Sequence, residues 1–177
     1  MDLEFNSALI TGGAGFIGSH IAEKLIGAGI NVKVLDNLAT GKKENLKNCL
    51  NKKNFQFFEQ DLGNLENNNF LDDVDIVFHM AADPEVRTGY DKPENSFNQN
   101  IRNTFNLLQK IKHSKVKKIL FASSSSVYGD AKVLPTPENY SPLLPISHYG
   151  ASKLACEALI SSFCHNYEMD GIIIRPA

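Results

Sequence analysis

Each shortage in this sequence excludes a class of protein. There are three cysteines, Cys49, Cys156 and Cys164, an odd number with no CxxC pair. That rules out a disulfide framework or a cysteine-based zinc site, and packed, reduced thiols in a reducing cytoplasm are expected. Cys164 and His165 are neighbours on an expected helix, point apart and would chelate poorly; no metal is expected. No stretch approaches the 18 or so unbroken apolar residues of a membrane-spanning helix. Met1-Asp2-Leu3-Glu4 lacks a basic segment leading into an apolar one, so no signal peptide is visible. Twelve glycines and seven prolines are too few for a collagen-like or low-complexity chain. A basic excess is also missing. Eighteen Lys and Arg face twenty Asp and Glu, a net charge of −2, which leaves no footprint for nucleic acid. Lys42-Lys43 and the cluster Lys115, Lys117, Lys118 read as solvated faces.

What remains is a chain of 177 residues, 42% hydrophobic and 21% charged. That is enough for one domain with a real core. Short apolar runs rich in β-branched and aromatic residues occur at Ala8–Thr11, Val32–Leu35, Phe55–Phe58, Val74–Met80, Lys118–Ala122 and Ile172–Ile174. Several are apolar throughout, the pattern of parallel strands buried on both faces. Helical spacing fills three of the intervals. Phe16–Ala28 is one. Asn98–Ile111 carries Ile101, Phe105, Leu108 and Ile111 on one side. Tyr149–Tyr167 carries Leu154, Ala158, Ile160 and Phe163 in an amphipathic pattern. The alternation predicts an α/β fold, a doubly wound parallel Rossmann sheet with helices on both faces. Asp130–Ser147, with four prolines, is expected to wrap the surface near the carboxyl ends of the strands. The last expected strand is followed by no covering helix, so the chain reads as the front part of a longer protein.

The strongest local signal is Thr11-Gly12-Gly13-Ala14-Gly15-Phe16-Ile17-Gly18-Ser19, between an expected strand and an expected helix. From Gly13 it fits GxGxxG, and from Gly12 it fits GxxGxxG. Such a turn brings backbone close to a pyrophosphate and seats it on the amides and dipole of a helix N-terminus. Glycines also serve ordinary turns, but the strand–turn–helix context favours a dinucleotide site. Asp36, at the end of the second strand, can accept hydrogen bonds from ribose hydroxyls and would repel a 2′-phosphate, favouring NAD over NADP. A plain turn cap is its bland alternative. Asp61-Leu62 closes the third strand in the same way and would reach the adenine edge.

Tyr149 and Lys153 are four residues apart on an expected helix and share a face. A free phenol titrates near pH 10, so work as a base near pH 7 needs roughly 4 kcal/mol of differential stabilisation. A neighbouring ammonium and a cationic nicotinamide could supply it, and Tyr149 could then take a proton from a sugar or alcohol hydroxyl. By itself YxxxK is a common helix-surface pair. Ser123-Ser124-Ser125-Ser126-Val127-Tyr128-Gly129 follows the fifth strand, where open α/β sheets bind ligands. As composition alone it is a polar loop.

In this order, TGGAGFIGS, Asp36-Asn37-Leu38, Asp61-Leu62, His79-Met80-Ala81-Ala82, Asn100, SSSSVYG, YGASK and Arg175-Pro176, the chain resembles the extended short-chain dehydrogenase/reductases of the NAD-dependent epimerase/dehydratase family. Within that group it is most similar to UDP-glucose 4-epimerases and related nucleotide-sugar epimerases. The resemblance implies a phosphate turn of Gly12, Gly15 and Gly18, with the Phe16 and Ile17 amides on the pyrophosphate. It implies Asp36 and Asn37 on the adenosine ribose, Asp61 and Leu62 near adenine, and Ala81 and Ala82 along the cofactor. Asn100 would support the active-site backbone at the cofactor. Tyr149 would be the base, Lys153 its partner and a ribose ligand, and Ser124 the catalytic serine. His79 would be structural. Dehydratase and decarboxylase relatives carry acidic residues between Ser124 and Val127, where this chain has Ser125 and Ser126. The implied activity is oxidation and re-reduction at C4 of a nucleotide sugar, a UDP-hexose, by a retained NAD. A C-terminal substrate domain follows in such proteins, so residues 1–177 read as the NAD-binding Rossmann domain alone. No nucleic-acid or membrane partner is implied. Self-association, for instance as a homodimer, is expected from the uncovered strand at Ile172–Ile174. Another nucleotide-sugar dehydratase or reductase of the family, or a non-catalytic NAD-binding module, is the competing reading. The intact Ser124, Tyr149 and Lys153 argue against the module.

Overall fold

The computed structural model describes residues 4–65, 67–84 and 91–176. The N-terminal residues 1–3, on which the absence of a signal-peptide pattern is read, lie outside it, as does Ala177.

Six parallel strands form one sheet: β1 Ser7–Thr11, β2 Asn31–Asp36, β3 Phe55–Glu59, β4 Ile76–His79, β5 Lys118–Ala122 and β6 Asp170–Ile174. Their order is β3-β2-β1-β4-β5-β6. The order reverses between β1 and β4, so the crevice above their carboxyl ends is the expected ligand position. Alternate residues of each central strand feed two separate cores. Ala8, Ile10, Val32, Val34 and Ile76 pack with Ala22 and Leu25 of α1, Phe16–Gly27. Leu9, Leu35, Val77, Ile119 and Phe121 pack with the helices of the other face. This two-sided burial explains the uninterrupted apolar runs.

The second face is covered by one helical rod and a long helix. The rod begins as α2, Pro93–Asn95, passes through a π-helical segment at Ser96–Arg102 and ends as α3, Asn103–Ile111. The long helix is α4, His148–Asn166, capped by the Ser147 side chain on Gly150 N. Two expected helix faces are corrected. In the rod Leu108 and Ile111 are buried, but Phe105 is largely exposed and Leu107 and Thr104 take its place in the core. The π segment inserts an extra residue per turn and rotates the face. In α4 Ala158 is exposed, while Lys153, Cys156, Glu157 and Ile160 face inward. The buried stripe of α4 is polar because every polar group in it has a partner, as described below.

Candidate cofactor and catalytic site

The β1–α1 turn is built by exclusion of side chains. Gly12 has φ +67°, and a Cβ there would sit 2.6 Å from the backbone of Ala81. A Cβ on Gly18 would collide with the Gly12 carbonyl. The helix therefore starts flush against β1 and β4. Its N-cap, Gly15, makes no side-chain bond and the first turn holds no acidic residue. The amides of Phe16, Ile17 and Gly18 thus have no acceptor within the helix and suit an anion. The phenyl ring of Phe16 is mostly exposed.

This turn opens one end of a cleft of about 860 Å³, within the range of cofactor sites. At that end Gly12, Gly15, Phe16, Ile17, Gly18, Asp36 and Asn37 line it, with Leu62 nearby; Ala81 and Ala82 line its middle; Ser124, Tyr149 and Lys153 line the far end. The Ala39-Thr40-Gly41 loop also lines it, and no motif in the sequence singles that loop out. Asp36 is buried, with Oδ2 accepting Ala14 N at 2.9 Å and Oδ1 accepting Leu38 N at 2.8 Å. Each oxygen keeps a second lone pair for a ribose hydroxyl.

Two expected cofactor residues, Asp61 and Asn100, are engaged by hydrogen bonds within the protein and are not among the residues that line the cleft. Asp61 accepts Asn37 Nδ2 at 2.5 Å and Gly63 N at 2.6 Å, so its carboxylate fixes Asn37 and a turn while Leu62 faces the cleft. Asn100, buried in the π segment, accepts Asp83 N at 2.7 Å and donates to Ser152 Oγ at 2.8 Å. It ties the loop after β4 to α4.

At the far end Ser124 Oγ accepts from Ser126 N at 3.1 Å and Ser126 Oγ at 2.9 Å. With both lone pairs engaged, its proton is free to serve Tyr149. Burial holds the Tyr149 phenol above its ordinary value, and the Ser124 hydroxyl acts the other way with a smaller effect. The expectation that Lys153 lowers Tyr149 is therefore not met in the cofactor-free protein. Lys153 Nζ donates to Ala122 O at 2.8 Å and sits 5.7 Å from the centre of the Tyr149 ring. Burial pushes Lys153 itself down to about 8, which leaves it mostly protonated at pH 7.

His79 is fully buried, its Nδ1 2.7 Å from Thr11 Oγ1 and its Nε2 2.9 Å from Thr104 Oγ1. Burial, with Lys153 as a lesser cause, pushes it down to about 3. It is a neutral tether between β1, β4 and the rod. All three cysteines are buried and unpaired, with thiols raised chiefly by burial. Among the described residues no cluster could hold a metal and no helix is long and apolar enough to cross a membrane.

Residues 8–177 match the model of the NAD dependent epimerase/dehydratase family. The UDP-glucose 4-epimerase of Mycolicibacterium smegmatis is 34% identical over 172 residues, covering 96% of this chain and 55% of that protein. A UDP-N-acetylglucosamine 4-epimerase structure from Methanobrevibacter ruminantium, in complex with UDP-N-acetylmuramic acid, superposes with TM-score 0.90 at 37% identity, covering 98% of this chain and 55% of that one. A Bacillus cereus UDP-glucuronic acid 4-epimerase, in complex with UDP-glucuronic acid and NAD, gives 0.88 at 35%, covering 96% and 55%. The chain spans about half the length of these relatives.

Proposed function

Because the chain belongs to the NAD dependent epimerase/dehydratase family, we propose that it carries the cofactor site and catalytic residues of an NAD-dependent nucleotide-sugar 4-epimerase, with a UDP-hexose as substrate. The observation that carries this reading is the convergence of Ser124, Tyr149 and Lys153 at one end of a cleft whose other end is an anion-ready helix N-terminus. The cleft fits a dinucleotide because the uncapped start of α1 and the buried Asp36 carboxylate both line it, and the missing Cβ atoms at Gly12 and Gly18 let the turn pack directly on the backbone of Ala81 and Gly12.

Bound NAD supplies a reversible hydride acceptor. The chain's residues do the rest. The amides of Phe16 and Ile17 take the pyrophosphate, and Asp36 and Asn37 the adenosine ribose. Leu62, Ala81 and Ala82 give apolar wall, and Lys153 has donors to spare for the second ribose. Tyr149 as phenolate accepts the proton of the sugar 4-hydroxyl as C4 is oxidised, and returns it after the 4-keto sugar turns over. Ser124 donates to the Tyr149 oxygen and favours its charged form. Burial holds the free phenol high, and a positive cofactor ring bound beside Tyr149 would favour the phenolate. Ser125 and Ser126 offer hydroxyls and no carboxylate beside the reacting carbon, which supports epimerisation over dehydration or decarboxylation. Residues 1–177 act in this reading as one NAD-binding Rossmann domain of a cytoplasmic enzyme without nucleic-acid or membrane partners.

Tyr149→Phe tests the assignment, because it deletes the phenolic oxygen and nothing that touches the pyrophosphate. In the full-length protein, turnover of the UDP-sugar should fall by about 10²–10⁴-fold with NAD affinity nearly unchanged, measured by coupled assay and by calorimetry. Near-normal turnover would remove Tyr149 from the chemistry.

A further inference from the structure

The proposed chemistry leaves one buried acid unused. Glu157 lies one turn beyond Lys153 on α4, with its side chain 7% exposed. Its carboxylate accepts from Ser123 Oγ at 2.5 Å, Arg175 Nε at 2.9 Å and Arg175 Nη2 at 2.7 Å. This forked pair is the geometry that repays burial of a charge. Arg175 also donates to Tyr128 Oη at 3.1 Å and to Glu138 O at 3.4 Å, with its guanidinium 5.0 Å from the Tyr128 ring centre. Ser123 precedes Ser124, and Tyr128 ends the short 3₁₀ helix that follows it, Ser125–Tyr128. Next to Arg175, Pro176 lines the cleft and accepts Ser125 N at 2.9 Å. A single carboxylate thus joins the Tyr149 helix to segments on both sides of Ser124.

α4 is held to the end of β5 by two rungs, Lys153 to Ala122 and Glu157 to Ser123. The Lys153 rung is shared with its proposed ribose role. The Glu157 rung is not. We propose that Glu157 is a positioning residue that, through Ser123 and Arg175, holds Ser124 in hydrogen-bonding register with Tyr149. The inference rests on the reading of Tyr149 as the base. A plain clamp between α4 and β6 would affect melting alone.

The ionisation of Tyr149 separates the two. Deleting a nearby negative charge favours the phenolate and lowers its midpoint; losing the Ser124 bond raises it. The chain has no tryptophan, so tyrosinate absorbance reads cleanly, and pH-jump stopped-flow records it before alkaline unfolding. Subtracting Tyr149→Phe protein isolates the one phenol. In Glu157→Gln the Tyr149 midpoint should rise by about half to one pH unit; an unchanged or lowered midpoint would overturn the proposal. Because that variant strands the Arg175 charge, the neutral double variant Glu157→Met/Arg175→Met is measured beside it. It should melt close to the parent and still show the raised midpoint, and a native midpoint there would overturn the proposal equally. Calorimetry of the unmutated chain with NAD runs in parallel. Failure to bind would sink the function reading, while the titration judges Glu157 by itself.

Discussion

Single residues in this site carry more than one task, and the measurable effects of changing them follow from both. The sequence offers Asp36 as a ribose acceptor, and the structure shows its carboxylate holding the amides of Ala14 and Leu38. Asp36→Ala should therefore narrow the preference for NAD over NADP and also destabilise the cofactor-free protein by about 2–4 kcal/mol, since two amides lose a charged acceptor. Paired calorimetric titrations and urea unfolding separate the two effects; equal affinity of the unmutated chain for both cofactors would refute the ribose role. His79 shows the converse, a titratable group kept for packing. Its native value of about 3 lies well below the ordinary 6.5. Above pH 6.5 neither state binds the proton and nothing is lost. Below it the unfolded chain takes up a proton that the folded one refuses, so stability falls until pH 3. The loss should reach about 2 kcal/mol at pH 5, read as the part of the pH 7 to pH 5 difference in urea stability that His79→Gln abolishes.

Elements are less forgiving than residues because their ends are set by backbone contact. The start of α1 depends on Gly18 touching the Gly12 carbonyl. Gly18→Ala would push the helix away from the turn, costing about 2 kcal/mol or more and lowering NAD affinity at least tenfold, as the Phe16 and Ile17 amides move with it. Thermal melting and calorimetry check this, and a variant that melts and binds like the parent would refute the close-packing account. The boundaries of this helix were readable, since glycine spacing and apolar periodicity agreed. The helical rod was not read as well. Its π segment leaves no mark in periodicity over so short a span, and it is stabilised by Asn100 reaching Asp83 and Ser152, residues far away along the chain. In α4 an inward lysine and glutamate break the amphipathic pattern on which the sequence reading relied. The available signal was the charge one turn beyond Lys153, on the face already assigned to chemistry.

Across the whole molecule the two edges of the sheet differ from its middle. Ile172 and Ile174 of β6 are 48% and 43% exposed, and among the described residues β6 pairs with β5 alone. An exposed apolar edge strand invites a second edge. Self-association that rises with concentration is expected in sedimentation equilibrium, and Ile172→Thr with Ile174→Thr should weaken it severalfold. A strictly monomeric parent at high concentration would refute that expectation.

The sequence by itself determined the alternation of strands and helices, the glycine-built strand–turn–helix junction and the Tyr149–Lys153 pair, because each depends on residues close together along the chain. Glycine conformation, helical spacing and apolar periodicity are local properties and survive without a fold. Only the tertiary structure decided how the chemical groups are tuned. It buried Tyr149 enough to raise it, turned Lys153 toward Ala122, and tied Asp61 to Asn37 and Asn100 to Ser152. It also assembled Glu157, Ser123 and Arg175 from three separate segments. Burial and long-range hydrogen bonding set those outcomes, and both exist only once the six strands have closed on one another.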